Sequence, residues 1–232
     1  MNKNLVLALS LAVLSLGACH KKAEETAPAA ETPAAPAPTA SAPEAAKPAA
    51  EQTDAEREMA HKKELMDYAT MEDTYINDPK AQWSSTANAS SVFGDQDGQK
   101  PSDSSLAINA TGKLGGNNYS WINNNQEIGF DTLELGYDKP VFATEVRAVL
   151  PQSNGANAAE SLSKVELQDT TGKWNTIWSG ISDVKRDDRG SNTWLVRKFD
   201  KTTYQVKAVK YTFANNLAHG YKEVNAAQLV GE

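Results

Sequence analysis

The chain has 232 residues, with 23 Lys and Arg against 30 Asp and Glu, and a formal net charge of −7. An acidic chain with no basic stripe is not built for nucleic acid, and it gains no electrostatic attraction to anionic lipid headgroups. One cysteine and three histidines rule out a disulfide framework and a His-rich zinc site.

Met1 to Ala18 reads as a targeting segment. Lys3 gives a positive start, Leu5 to Leu16 is apolar apart from Ser10 and Ser15, and Gly17 and Ala18 lead to Cys19. An apolar run of this length falls short of the roughly 20 residues a spanning helix needs. Leu16-Gly17-Ala18-Cys19 resembles the lipobox of bacterial lipoproteins. That resemblance implies cleavage before Cys19, acyl chains on the cysteine as the membrane anchor, and a mature charge of −8 once Lys3 is gone. His20 rather than Asp follows the cysteine, which by the same resemblance implies the outer membrane of a Gram-negative envelope.

Residues 19–53 form a tether. Ala, Pro, Glu, Thr and Ser dominate, and prolines stand at 28, 33, 36, 38, 43 and 48. Such a stretch has too little apolar bulk to offset its ordering entropy and is expected to be disordered, with a reach of about 30 Å as a flexible coil. Thr53 and Glu56 then have capping-box spacing, and helix formers run on to Ile76 before Asn77-Asp78-Pro79. The expectation is a short helix over 54–78. Its apolar residues Met59, Leu65, Met66, Met71, Tyr75 and Ile76 fit a helical face only loosely. A solvated stalk is one reading, and a helix packed on the domain or on a partner is the other.

Residues 81–232 are long enough for one domain with its own core. Strand-like runs cover Trp83–Ser90, Thr132–Gly136, Val141–Leu150, Leu162–Asp169, Lys173–Ser179, Thr193–Phe199, Val206–Phe213 and Val224–Val230. Turn signals such as Thr171-Gly172 and Arg189-Gly190 separate them. The pattern predicts an all-β fold, an antiparallel β-sandwich. Its organising stretch is Phe130 to Leu150, read as an apolar hairpin with Gly136 to Pro140 as the turn.

The order Leu133-Glu134-Leu135-Gly136-Tyr137-Asp138-Lys139-Pro140-Val141, then Gly172-Lys173-Trp174, then Glu223-Val224-Asn225-Ala226-Ala227-Gln228-Leu229-Val230-Gly231 resembles the galactose-binding-like (discoidin, F5/8 type C) jelly-roll sandwich. Members of that superfamily are mostly non-catalytic modules that bind glycans, phospholipid headgroups or proteins through loops at one end, and several hold calcium. The resemblance therefore implies a binding module rather than an enzyme.

The residues agree. Only His219 lies in the folded domain, no G-x-S-x-G elbow supports a Ser-His-Asp triad, and no carboxylate pair is singled out. Asp95, Asp97 and Asp103 place hard oxygen ligands on one loop, suiting either Ca²⁺ or simply a solvated acidic turn. The resemblance adds Glu223 near the last strand, and Asn109 where an Asp is usual. For ligand binding, Gly115 to Gln126 sets the amides of Asn123 and Asn124 around Tyr119 and Trp121. Asp183 to Trp194 adds Arg186, Arg189 and Trp194. Amides serve sugar hydroxyls as donors and acceptors, and aromatic faces stack on pyranose rings. A rim shared by these two loops is the expected site. Carbohydrate, including peptidoglycan, is the expected ligand; docking of an envelope protein or exported effector is the alternative partner, and no cofactor is required beyond the candidate calcium.

Overall fold

The computed structural model describes residues 52–95, 100–115, 119–124, 128–153 and 156–232. Cys19 and the tether up to Glu51 lie outside the described residues. Thr53 caps helix α1 (Asp54–Ile76) reciprocally: its Oγ1 accepts from the Glu56 amide, and the Glu56 carboxylate accepts from the Thr53 amide. Asn77 ends the helix.

Among the described residues ten strands follow: β1 (Ala81–Trp83), β2 (Thr86–Ala89), β3 (Trp121–Ile122), β4 (Phe130–Pro151), β5 (Leu162–Asp169), β6 (Trp174–Ser179), β7 (Asn192–Lys198), β8 (Gln205–Ala214), β9 (Glu223–Val224) and β10 (Ala226–Gly231). A one-turn helix, α2 (Ala158–Ser161), precedes β5. All named strand pairs are antiparallel. One layer runs β1-β10-β4-β7 and the other β2-β4-β8-β5-β6. The small pair β3-β9 closes one end. The antiparallel sandwich expected from the strand pattern is the fold.

The organising stretch is nevertheless not a hairpin. Phe130–Pro151 is a single strand that serves both layers, pairing with β2 and β8 through its first half and with β10 and β7 through its second. Gly136 pairs with Ala208 and Val141 with Val206, so five residues of β4 span a two-residue step on β8. Such a bulge bends and twists a strand instead of reversing it. Gly136 is also absent from the glycines with positive φ, so the primed turn a tight hairpin requires does not form. What glycine provides there is space, because a Cβ would lie 2.2 Å from Thr86 Oγ1.

Alternation along the strands builds the core. Leu133, Leu135, Ala143, Val146, Ala148, Leu150, Leu195, Val209, Tyr211, Phe213, Ala227 and Leu229 face it from both layers. The second half of β4 is buried on its other face as well. Glu145, Arg147 and Val149 lie there, with Trp194 of β7 and Ala226 and Gln228 of β10. Helix α1 covers that face. Tyr68 is buried, and Met71, Tyr75 and Ile76 pack on Val149, Trp194 and Ala226 in a second apolar cluster.

This decides between the two readings of the helix in favour of the packed one. Tyr68 Oη donates to Asn192 O at 2.8 Å, and Trp194 Nε1 donates to Glu72 Oε1 at 3.2 Å. Arg147, 5% exposed, clamps the C-terminal end. It bonds Glu145, Asp78 and Gln228, and its guanidinium lies 4.3 Å from the Tyr75 ring centroid. Gln228 in turn donates to Tyr75 O at 2.8 Å.

Candidate functional site

A buried carboxylate organises the loops at the β3-β9 end. Asp131, at the start of β4, is 3% exposed. Its Oδ1 accepts from the hydroxyls of Ser90 at 2.8 Å and Ser91 at 2.6 Å, and its Oδ2 from the amides of Asn123 and Asn215, both at 2.8 Å. Burial pushes its pKa up, but the four donors outweigh burial and hold it below the usual carboxylate range. Asn123 Oδ1 accepts the Lys222 amide at 2.8 Å. The fully buried Lys222 ammonium donates to Ala218 O at 2.8 Å and Gly220 O at 2.5 Å. Burial lowers its pKa, with Asp131 opposing. Five chain segments are thus tied to one polar knot. Hydrogen bonds to charged groups contribute about 1.5–3 kcal/mol each, and a satisfied buried network fixes a single arrangement.

On this knot stands an aromatic rim. Phe93, 40% exposed, meets Tyr221 edge to face, with ring centroids 5.1 Å apart at 87°. Tyr119, half exposed, lies two residues before β3. The Phe93 amide donates to Ile122 O at 2.8 Å, which sets residues 91–95 against β3. Around β9 the chain alternates: Lys222 and Val224 are buried, while Tyr221 and Glu223 are on the opposite side. Ser153, Ala156 and Asn157 lie beside them. Ala156 bridges Tyr221, the Asn157 amide donates to Tyr221 O at 2.8 Å, and Asn157 Nδ2 donates to His219 O. Ser153 Oγ donates to Glu223 Oε1 at 2.6 Å. Ser153 is therefore bonded directly to a carboxylate, with no imidazole between them to act as a base. What the rim offers is aromatic surface bordered by hydroxyl, amide and carboxylate groups. Such groups can donate to and accept from hydroxyls and can stack on a ring.

The two tryptophans expected at the rim are not on it. Trp121 is fully buried against Phe213, with centroids 5.7 Å apart, and its Nε1 donates to Ser91 O at 2.9 Å. Trp194 is 9% exposed because, next to core-facing Leu195, it points to the outer face of β7 and lies beneath α1. Neither can stack on a ligand.

Asn123 belongs to the knot. Asn124 braces the loops through Ser91 Oγ at 3.0 Å and Asp95 O at 2.8 Å. Arg186 bonds Gln152 at 2.9 and 3.3 Å, next to the rim segment. Arg189 pairs with Asp187 and lies 5.7 Å from the Tyr68 ring centroid, on the helix seam. Of the expected ligand residues, Tyr119 remains as an exposed aromatic. The expected metal residues do not form one cluster among the described residues. Asp95 and Asp103 are exposed, Asn109 Nδ2 donates to Asp103 O, Glu223 is held by Ser153, and Asp97 lies outside the described residues. Among the described residues no three His, Cys, Asp or Glu side chains converge.

No protein-family model matches the sequence, and no curated protein does. Solved structures do resemble it. CpGH89CBM32-5 from Clostridium perfringens, in complex with GalNAc-β-1,3-galactose, matches at 17% identity and a TM-score of 0.46, over 63% of this chain and 94% of its own. The family 32 carbohydrate-binding module of C. perfringens NanJ, in complex with galactose, matches at 14% identity and a TM-score of 0.46, over 64% of this chain and 98% of its own. An F5/8 type C domain from Bacteroides fragilis matches at 15% identity and a TM-score of 0.45, over 65% and 97%. With likeness at this level, the architecture stands on its own strand order and register.

Proposed function

We propose that the protein is a lipid-anchored component of a Gram-negative envelope whose sandwich is a non-catalytic module binding carbohydrate at the Phe93–Tyr221 rim. One observation carries the binding reading: partly exposed aromatic rings bordered by polar side chains, on loops fixed from beneath by Asp131 and Lys222. Preorganised aromatic and polar groups of this kind reduce the ordering cost that weak ligands otherwise meet.

The test is a glycan array with the full chain, run beside Tyr221→Ala and Phe93→Ala. Saturable binding in the parent is expected, with affinity lowered at least about tenfold in each variant, since aromatic contacts of this size are worth on the order of 1.5 kcal/mol. A parent that binds no sugar, or variants that bind as the parent does, would refute it. The anchor is tested separately. Intact mass of the membrane fraction should show an acylated Cys19 as the first residue, and Cys19→Ser should move the protein to the soluble fraction.

A second reading has its own support. Met59, Leu65 and Met66 on the first half of α1 are 69, 39 and 71% exposed, an apolar surface suited to an adaptor that docks an envelope protein. Capture of one envelope protein that is lost in a Met59→Ser, Met66→Ser variant, without sugar binding, would favour it.

A further inference from the structure

We infer that Glu223 makes the rim selective for uncharged sugars, accepting their hydroxyl protons and discriminating against sugars that carry a carboxylate. The inference rests on the carbohydrate reading above and adds to it the class of ligand.

Strand parity sets the direction of the Glu223 side chain. Lys222 and Val224, on either side of Glu223, are both fully buried, so Glu223 shares the outward side of β9 with Tyr221. Tyr221 holds Phe93 edge to face, which places the carboxylate on the same short segment as the aromatic surface. Ser153 then fixes one of its oxygens with a short hydrogen bond of 2.6 Å. Hydrogen bonds to an ionised acceptor are shorter and stronger than neutral ones, and this one orients the group without neutralising it.

Among the described residues no donor reaches the second oxygen. The nearest ammonium in sequence, Lys222, is committed to the carbonyls of Ala218 and Gly220 on the inner side. The rim therefore presents an oriented, unneutralised acceptor. An ionised carboxylate only accepts, so it suits a ligand that brings donors, and sugar hydroxyls are donors. A ligand carboxylate brings none and adds a like charge at short range. Close to a protein surface such repulsion is only partly screened.

The experiment uses the full chain and calorimetric titration with matched pairs, galactose against galacturonate and glucose against glucuronate. For the parent, the neutral member of the better pair should bind at least about tenfold more tightly, the factor expected of one charged contact near a surface. Glu223→Gln removes the charge and keeps the shape. It should bring the two members of the pair within about threefold of each other, chiefly by improving the uronate. Ser153→Ala keeps the charge but loosens the carboxylate. It should weaken the neutral sugar by about threefold while the preference remains, as expected for loss of one orienting hydrogen bond.

A parent that binds both members equally, or a Glu223→Gln protein that keeps the full preference, would overturn this inference and leave the binding module intact. A preference lost in Ser153→Ala would also overturn it. A parent that binds no sugar would overturn the carbohydrate reading, and this one with it.

Discussion

Glycine 190 tests the docking of α1. A Cβ built at that position would lie 2.2 Å from Tyr68 Cε1, 2.3 Å from Cζ and 2.7 Å from the hydroxyl oxygen. Its φ is one any residue adopts, so alanine adds no backbone strain and the whole effect is steric. The ring has little room to yield. Tyr68 is 5% exposed and its hydroxyl is bonded to Asn192 O at 2.8 Å. Overpacking a filled site costs about 1–3 kcal/mol. For a unit of this size that predicts a Tm lower by roughly 2–12 °C for Gly190→Ala, measured by calorimetry. Amide exchange in the second half of α1 should speed up, and the emission of Trp194 beneath it should shift to the red. Tyr68→Ala alone should cost about 3–5 kcal/mol. In that background Gly190→Ala should cost almost nothing, giving a coupling of about 1–3 kcal/mol across the double-mutant cycle. An unchanged Tm for Gly190→Ala, or the same penalty with and without the Tyr68 ring, would refute the steric argument.

Asp131→Asn places an amide against four donors and should cost about 3 kcal/mol, with Phe93 and Tyr221 losing fixed positions; equal stability to the parent by urea titration would argue against the knot. Both Asp131 and Asp78 have folded-state pKa values below normal, the first through its four donors against burial, the second through Lys80 and Arg147 against burial. Each therefore contributes stability that is complete above the unfolded value, about pH 4, and is lost as pH falls through the lower folded value; urea midpoints should hold from pH 7 to 5 and fall below about 4. At the alkaline end, burial first and Glu72 second push Tyr68 up to about 12, so helix docking should weaken as pH rises from about 10 towards that value. Tyr68→Phe should flatten that arm, and a decline of equal steepness in this variant would assign it to another group. Chelation should leave sugar binding unchanged, because the loops are held by Asp131 and Lys222; affinity lost in EDTA and restored by Ca²⁺ would show that a metal shares the task.

Much of the architecture was legible because alternation in strands is a direct record of burial. Leu162–Asp169 matches β5 residue for residue, β6 differs from expectation by a residue at one end, and β7 and β8 by a residue at each end. The hairpin failed for a reason local sequence does not carry. Gly136 to Pro140 holds ordinary turn chemistry, but whether a chain reverses or bends depends on its partners, and here β2, β8, β7 and β10 hold both halves in one line of pairing. Ala143 to Leu150 did carry a further signal. Its end, Ala148-Val149-Leu150, is apolar at consecutive positions rather than alternate ones, which marks a strand covered on both faces, and the cover had to come from an element not yet placed. The helix was available, and its loose amphipathicity concealed the match. Only its second half, from Tyr68 onward, touches the sheet.

The rim was harder to read, because its position depends on polar residues that face inward. Period-two reading of Tyr221 to Val224 places Lys222 with the buried set, which an isolated sequence treats as an error, since an unpaired buried ammonium is expensive. Three observations remove that objection: two backbone carbonyls receive the ammonium, Asp131 lies in the same knot, and Asn123 takes the Lys222 amide. Once Lys222 is inward, Tyr221 and Glu223 must be outward, and the parity that looked frustrated becomes the strongest indication of a site. The opposite holds for Trp121. Its Asn-rich neighbourhood suggested an exposed stacking surface, yet those amides serve the knot, with Asn123 on Asp131 and Asn124 on the neighbouring loop. In this chain the amides of Asn123 and Asn124 mark where loops are fastened, and the aromatic surface left at the rim comes from Phe93 and Tyr119, with Tyr221 partly buried against Phe93.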